Sequence, residues 1–290
     1  MLTLTDIGKI EDMAKSQRKG NDLGEISPVG EKIFNIIESI YSSYILLYPL
    51  NTKKVAGFTR KQNNEIQIFV NTSLNLDFQI FAAAHELYHL IEFKNKEDED
   101  DDYFVVCNDK EDINENLDDI VDINELKANY FAAAFLLPKN LIEKRFKGLK
   151  NGISNEEDII VEILKLQYEF EVPFKTVLKR LKELGSIGDA ELKRILLTED
   201  INSKYCKMLD NNMHERLEKL ESPNNRIYDS INSPKYAADA YRKALISFNK
   251  MEKILNKYKK QIIDFNIEKI ETKAFDLSSL DNLTGDEADE

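Results

Sequence analysis

The sequence predicts an α+β fold in which a small antiparallel sheet packs against helices and an all-helical C-terminal region follows. Residues 65–71, EIQIFVN, alternate so that Ile66, Ile68 and Val70 share one face, as in a half-buried strand. Residues 28–43 instead space their isoleucines as one apolar stripe of a helix. In the last third of the chain, apolar residues recur at alternating spacings of three and four, which is typical of helices that pack along a seam.

The other elements of the first half follow from turn residues and periodicity. Strands are predicted at 44–50, where Pro49 ends an apolar run, and over AGFTRK at 56–61. Three helices come next: one from about Leu76 to Phe93, one that ends at Pro138, and one at about 139–147. The sheet therefore precedes a helical layer that carries the most polar motif of the chain.

Beyond residue 150 the pattern predicts three further regions. Residues 151–190 resemble a helix-turn-helix, with a capping box from Ser154 to Glu157 and a tight turn at 171–173. An apolar seam continues to Ile262 and predicts an intramolecular antiparallel hairpin of helices over 200–265. The alternative use of this seam is a contact with a second copy or with a partner protein. The acidic residues 266–290 are expected to be disordered. The seam comprises Ala237, Tyr241, Ala244, Phe248, Met251, Leu255, Tyr258 and Ile262.

The net charge of −13 belongs to one segment. Residues 97–125 contain fourteen acids and one base, Lys110, so the rest of the chain is balanced at 39 acids and 39 bases. This balance argues against non-specific nucleic-acid binding by the whole molecule. No apolar run is long enough for a membrane span, and the N-terminus lacks a secretory signal. Cys107 and Cys206 form no paired motif, so we expect reduced thiols in a cytoplasmic protein.

The segment AAAHELYHLI holds two of the three histidines of the chain, four residues apart around a glutamate. On a helix, His85 and His89 project from the same face and can reach one metal ion. Glu86 lies between them, close to a water on that metal. In this arrangement two neutral imidazoles bind zinc and the glutamate accepts a proton from the water, so the motif indicates a hydrolytic centre.

A catalytic zinc needs a third protein ligand, and the spacing leaves several carboxylates open. Glu125 is the first candidate because it begins a helix with a face of small residues, which would let it approach the alanines before His85. Asn129, one turn later, is placed to orient one of the histidines. The alternatives are Asp122, Asp119 and Asp118.

The two motif segments together resemble the ImmA/IrrE family of metallopeptidases. In that family the zinc motif precedes a helix of the form Glu-x-x-Ala-Asn-x-Phe-Ala-x-x-x-Leu-Leu-x-Pro, and the resemblance extends over about 28–188. This chain follows the form except that no residue separates the second leucine from the proline; the matching positions are Glu125, Ala128, Asn129, Phe131, Ala132, Leu136, Leu137 and Pro138. It implies a zincin-like metallopeptidase domain at 1–150, with zinc held by His85, His89 and Glu125 and with Glu86 as the catalytic base. Nitrogen and oxygen ligands also admit Mn, Fe or Co.

The resemblance implies a zinc-dependent endopeptidase that acts on a specific intracellular protein, namely a helix-turn-helix transcriptional repressor in a stress or mobile-element switch. The alternative is a metal-containing sensor that inactivates a regulator by contact without proteolysis. The acidic segment, which links the two ligand-bearing helices, is either a solvated loop or a means of steering a basic partner. Residues 151–190 favour packing or protein contact, with DNA reading as the alternative, and Tyr88 and Tyr130 remain open as oxyanion stabilisers.

Overall fold

The computed structural model divides the chain into two compact units, Met1–Ile231 and Asn232–Glu290. The residues that it describes are 2–24, 27–40, 43–62, 65–95, 103–108, 122–150, 156–198, 201–258 and 260–267.

The first unit is built on a five-stranded sheet with the strand order β4-β2-β3-β1-β5. The three strands predicted from the sequence form its centre, and two further strands form its edges. The strands are β1 (Ser43–Tyr48), β2 (Val55–Gln62), β3 (Glu65–Asn71), β4 (Tyr103–Asn108) and β5 (Tyr228–Asp229).

The α+β class is confirmed, but the sheet is mixed and not purely antiparallel. Strands β2 and β3 form an antiparallel hairpin, whereas β1 runs parallel to β3 with Ile45 opposite Ile68. The short connection between β1 and β2 passes the end of β3, so the returning hairpin places β3, and not β2, beside β1. Strand β4 was not predicted. Its apolar residues lie inside the acidic segment 97–125, yet they pair antiparallel with β2, so this part of the segment is not a solvated loop.

Ten α-helices of the described residues surround this sheet in the first unit. The helices predicted around residues 28–43, 76–93, 123–138 and 139–147 are all present, with shifted ends. The helices are α1 (Leu4–Gly20), α2 (Lys32–Ser39), α3 (Leu76–Asn95), α4 (Ile123–Leu136), α5 (Lys139–Lys150), α6 (Glu156–Phe170), α7 (Phe174–Glu183), α8 (Asp189–Leu196), α9 (Ile201–Tyr205) and α10 (Asn211–Leu220).

Helix α3 lies at the centre of the unit and is buried around almost its whole circumference. It packs against β2 and β3 of the sheet and against α2 and α4. The alanines at 82–84 and Leu87 are at most 1% exposed, and the side chains at 85 and 86 are fully buried although they are polar. A polar side chain in such a place is costly unless it has partners, so the environment of this turn decides what the unit can do.

The predicted turn between two helices at 171–173 is present, because α6 ends at Phe170 and α7 begins at Phe174. The predicted capping residue Ser154 lies outside the described residues. Arg180 of α7 is fully buried; its Nε donates to the Leu137 carbonyl oxygen and its guanidinium donates to Glu11 of α1 at 2.7 Å. This arginine therefore joins α7 to α4 and α1, which supports packing as the role of the segment.

The predicted hairpin over 200–265 is wrong. Helix α10 packs against α6 in the first unit, whereas α11 (Ser233–Arg242) packs against α12 (Phe248–Lys257) in the second. Helices α11 and α12 are separate because Ala244, just after α11, has a left-handed φ of 54° that ends the helical path. The Ser247 side chain then begins α12 by accepting a hydrogen bond from Lys250 N. The seam spacing arose from two short amphipathic helices in succession. Of the tail expected to be disordered, 268–290 lie outside the described residues.

None of the helices in the described part of the chain has the length and apolar character that a membrane span requires.

Candidate metal centre

Helix α3 brings the two histidines of the motif together on its face towards α4. The Nε2 atoms of His85 and His89 are 3.2 Å apart, and both rings are buried. Two imidazole nitrogens at this distance cannot both turn a lone pair inward without repulsion unless a proton or a cation lies between them. The spacing of four residues therefore creates a site that favours a cation.

Helix α4 supplies the third group of this cluster. Glu125 places Oε2 3.1 Å from His85 Nε2 and Oε1 3.2 Å from His89 Nε2. The close packing of α3 and α4 is possible because both contribute alanines at the contact, and Ala128 and Ala132 of α4 are fully buried. The predicted small-residue face thus places the carboxylate beside both rings.

The other carboxylates that the sequence left open are not brought to the cluster. Asp122 is the N-cap of α4, where its side chain accepts from Asn124 N at 2.8 Å. Asp118 and Asp119 lie outside the described residues. Among the described carboxylates, Glu125 is the one that completes the cluster of metal-ligating side chains with His85 and His89.

Asn129, one turn after Glu125, hydrogen-bonds the far side of the His85 ring. Its Oδ1 lies 2.9 Å from His85 Nδ1, so the ring donates Nδ1–H to the amide oxygen. A neutral imidazole that is protonated at Nδ1 presents the Nε2 lone pair towards the cluster. The amide therefore holds the tautomer that a metal requires.

The donor set fits a divalent metal ion. One ligand atom from each of His85, His89 and Glu125 lies within 4.8 Å of the others. Tetrahedral zinc with bonds of about 2.0–2.1 Å separates its ligand atoms by about 3.3 Å, close to the observed 3.1 and 3.2 Å. Burial alone would raise the pKa of Glu125, but the hydrogen bonds with the two histidines, and their charges when the metal-free rings are protonated, outweigh it and lower that pKa to about 2.

Glu86 lies beside the cluster and is completely buried. Its Oε2 accepts a hydrogen bond from Thr59 Oγ1 at 2.5 Å, whereas its Oε1 has no hydrogen-bond partner within the described structure. Burial, helped by the charge of Glu125, raises the pKa of Glu86 to about 7, against the opposing effects of His85 and Thr59. A carboxylate with a pKa near neutrality has the basicity that a general base needs.

Gly57 and Thr59 belong to the site, and neither was predicted as a site residue. They are two residues apart on β2, so both point towards α3. A Cβ at Gly57 would lie 3.3 Å from Glu86 Oε1 and 2.8 Å from the carbonyl oxygen of Phe69, so only glycine fits. The sequence signal that could have indicated them is the spacing of Gly57 and Thr59 at i and i+2 in the strand before the motif helix. The sequence does not show which helix packs on that face of the strand, so the spacing alone did not identify them as site residues.

The two tyrosines left open as oxyanion stabilisers have other surroundings. Tyr130 donates its hydroxyl to Glu11 at 2.9 Å, and the Arg180 guanidinium lies over its ring. Tyr88 is 4% exposed and its ring packs edge-on against His89. Burial raises the pKa of both hydroxyls to about 12. Tyr130 is thus part of the contact between α1, α4 and α7.

Comparison with known families agrees with this geometry. Residues 43–182 match the family model of peptidase M78, the IrrE N-terminal-like domain. This range begins at β1 and ends in α7. It includes the two histidines and Glu125 of the cluster, and Gly57 and Thr59 of β2. No curated protein matches the chain. The match confirms the resemblance predicted from the motifs: this chain carries an IrrE N-terminal-like domain of the ImmA/IrrE metallopeptidase family.

Proposed function

We propose that this protein is a zinc-dependent endopeptidase that cleaves one specific cytoplasmic protein. The observation that carries the proposal is the convergence of His85, His89 and Glu125 beside a buried glutamate whose second oxygen has no hydrogen-bond partner in the described structure. A structural zinc site uses four protein ligands, whereas a catalytic site uses three and leaves a position open. Three ligands with a base next to them fit the catalytic kind.

The roles of the residues follow from their positions. His85, His89 and Glu125 would hold the metal, and Asn129 would keep His85 in the required tautomer. The metal, when bound, would acidify a water molecule and polarise the scissile carbonyl. Glu86 would accept the proton of the attacking water and then transfer it to the leaving amine. Burial raises the pKa of Glu86 in the metal-free centre to about 7, so this group is more basic than a free carboxylate.

We propose a helix-turn-helix repressor as the substrate, in a stress or mobile-element switch. The support is the family resemblance together with the placement of the acidic segment. This segment joins the end of α3 to the start of α4, and both helices carry ligands of the centre. The acids 97–102 lie outside the described residues; α3 is described to Asn95, six residues beyond His89, and the segment ends at the ligand Glu125. Charge at this place would steer a basic protein towards the centre.

The steering proposal is tested by neutralising the six acids at 97–102. We expect a slower cleavage of the repressor and a weaker dependence of its rate on salt, because the acids act through long-range attraction. An unchanged rate and salt dependence would remove the acidic segment from the proposal and leave the catalytic assignment in place.

The central experiment is Glu86→Gln in the zinc-loaded protein, incubated with any helix-turn-helix repressor that a neighbouring gene encodes. Glutamine keeps the shape of the side chain but cannot accept the proton, so we expect normal zinc content and no cleavage. Glu92→Gln is the matched control, because this residue lies on the same helix and outside the cluster. If Glu86→Gln inactivates the repressor as well as the wild type does, the protein acts as a sensor by contact and the endopeptidase proposal is wrong.

A further inference from the structure

The carboxylate of Glu86 has two oxygens in different surroundings, and the difference comes from β2. Thr59 Oγ1 donates to Oε2 at 2.5 Å, and the Thr59 side chain is itself fully buried. No hydrogen-bond donor among the described residues reaches Oε1. A buried carboxylate oxygen without a partner is costly, so its presence calls for an explanation.

Strand β2 fixes this arrangement from two successive positions on one face. Thr59 has a fully buried side chain, so its close-packed surroundings hold the hydroxyl in place. Its backbone is paired on both sides, with Ile68 of β3 and with Val105 of β4. The hydroxyl that holds Oε2 is therefore part of the rigid centre of the sheet.

Gly57 completes the arrangement on the side of Oε1. A Cβ there would lie 3.3 Å from both Oε1 and Cγ of Glu86, which is tighter than an ordinary contact. The missing side chain allows the Glu86 side chain to approach the backbone of β2 closely. The same strand thus restrains one oxygen with a hydroxyl and makes room for the other.

We propose that Thr59 is a positioning residue that holds Oε2 of Glu86 and thereby presents Oε1 as the oxygen that accepts the proton of the attacking water. The terminal torsion of a glutamate is broad and roughly two-fold, so without the hydroxyl the carboxylate would rotate between several orientations. This inference rests on the proposed hydrolytic function, because it assigns the geometry of the base in that reaction.

The test uses acetohydroxamate, a small chelator whose hydroxyl group donates a proton or a hydrogen bond to a base beside the metal. Its dissociation constant is measured by calorimetry on the zinc-loaded full chain, after the zinc content has been determined. Three variants are compared with the wild type: Thr59→Val, Thr59→Ser and Thr72→Val. Thr72 is the matched control, since it is also fully buried and donates its hydroxyl to a carbonyl oxygen, that of Arg226, at 2.8 Å.

We expect all four proteins to bind one zinc ion. Thr59→Val should bind acetohydroxamate about ten-fold more weakly, at the low end of the effect of losing a group that orients a site residue. Thr59→Ser keeps the hydroxyl and should stay within about two-fold of the wild type, as should Thr72→Val. With a cleavable substrate, Thr59→Val should lower kcat and leave KM nearly unchanged, because the contact serves the base and not substrate binding.

The outcomes separate this inference from the proposed function. If the wild type binds zinc and Thr59→Val binds acetohydroxamate as tightly as the wild type, the positioning role is wrong and the hydrolytic centre stands. Failure of the serine variant to restore binding would also overturn it, because the hydroxyl would then not be the active feature. If the wild type binds no metal, the proposed function fails and this inference fails with it.

Discussion

Removing the amide of Asn129 should weaken metal binding without changing any ligand. The amide oxygen accepts the Nδ1–H of His85 at 2.9 Å, and this bond directs the lone pair of Nε2 towards Glu125 and His89. In Asn129→Ala the ring can adopt the other neutral tautomer, which puts a proton where the metal must bind. The loss then appears in zinc affinity and not in the number of bound ions.

The size of the effect follows from the surroundings of the bond. Losing a group that orients a metal-bound histidine costs about 10- to 100-fold in affinity, or about 1.4–2.7 kcal/mol. The His85 ring is fully buried, which favours a large effect, but the Asn129 side chain is exposed, so water can partly replace its oxygen. We therefore expect a loss of about ten-fold, close to 1.4 kcal/mol.

The assay is a competition for zinc between the protein and a chromophoric chelator. Asn129→Asp keeps an acceptor oxygen and should bind zinc at least as tightly as the wild type. Asn124→Ala, an exposed change in the first turn of the same helix, should leave the affinity unchanged. If Asn129→Ala binds zinc like the wild type, the amide does not select the tautomer, and the account of how His85 is oriented is refuted.

Two further predictions concern stability. Zinc at 100 times its Kd should stabilise the wild type by about 2.7 kcal/mol, whereas Glu125→Gln should abolish the rise in melting temperature on adding zinc. Melting is monitored by circular dichroism, and an equal rise in both proteins would contradict the assignment of Glu125 as a ligand. Arg180→Met should destabilise the metal-free protein by about 3 kcal/mol, because its buried ion pair with the 26%-exposed Glu11 is broken. Arg145→Met, which breaks an exposed pair with Glu169, should cost less than about 1 kcal/mol, and equal losses would refute the difference.

The sequence was sufficient for those parts of the site that depend on spacing within one helix. His85 and His89 meet because they are four residues apart on α3, and Asn129 follows Glu125 by one turn of α4. The choice of Glu125 over Asp122 needed more, since both lie at the start of one helix. The resemblance favoured Glu125, and the structure shows Asp122 capping the helix.

Features that depend on contacts between distant segments were missed. The spacing of Thr59 two residues after Gly57 is a weak signal, because threonine is common in strands and its role arises only where α3 crosses β2. Strand β4 was overlooked because acids flank it on both sides, although its pairing with β2 decides its structure. The hairpin over 200–265 was wrongly predicted because apolar spacings of three and four continue across Ala244, where the left-handed backbone separates α11 from α12.

The position of α3 also explains why the unit that supports the centre is larger than the family match. The segment after α10 lies outside residues 43–182, yet it binds both the sheet and the start of α3. Leu76 N donates a hydrogen bond to the Ser222 carbonyl oxygen at the first turn of α3. Ser230 Oγ accepts a hydrogen bond from Ile45 N of β1 at 2.7 Å. The first of these contacts holds the start of α3, the helix that carries both histidines, and the second holds the edge of the sheet. The compact unit that contains the metal centre therefore extends beyond the family match to Ile231.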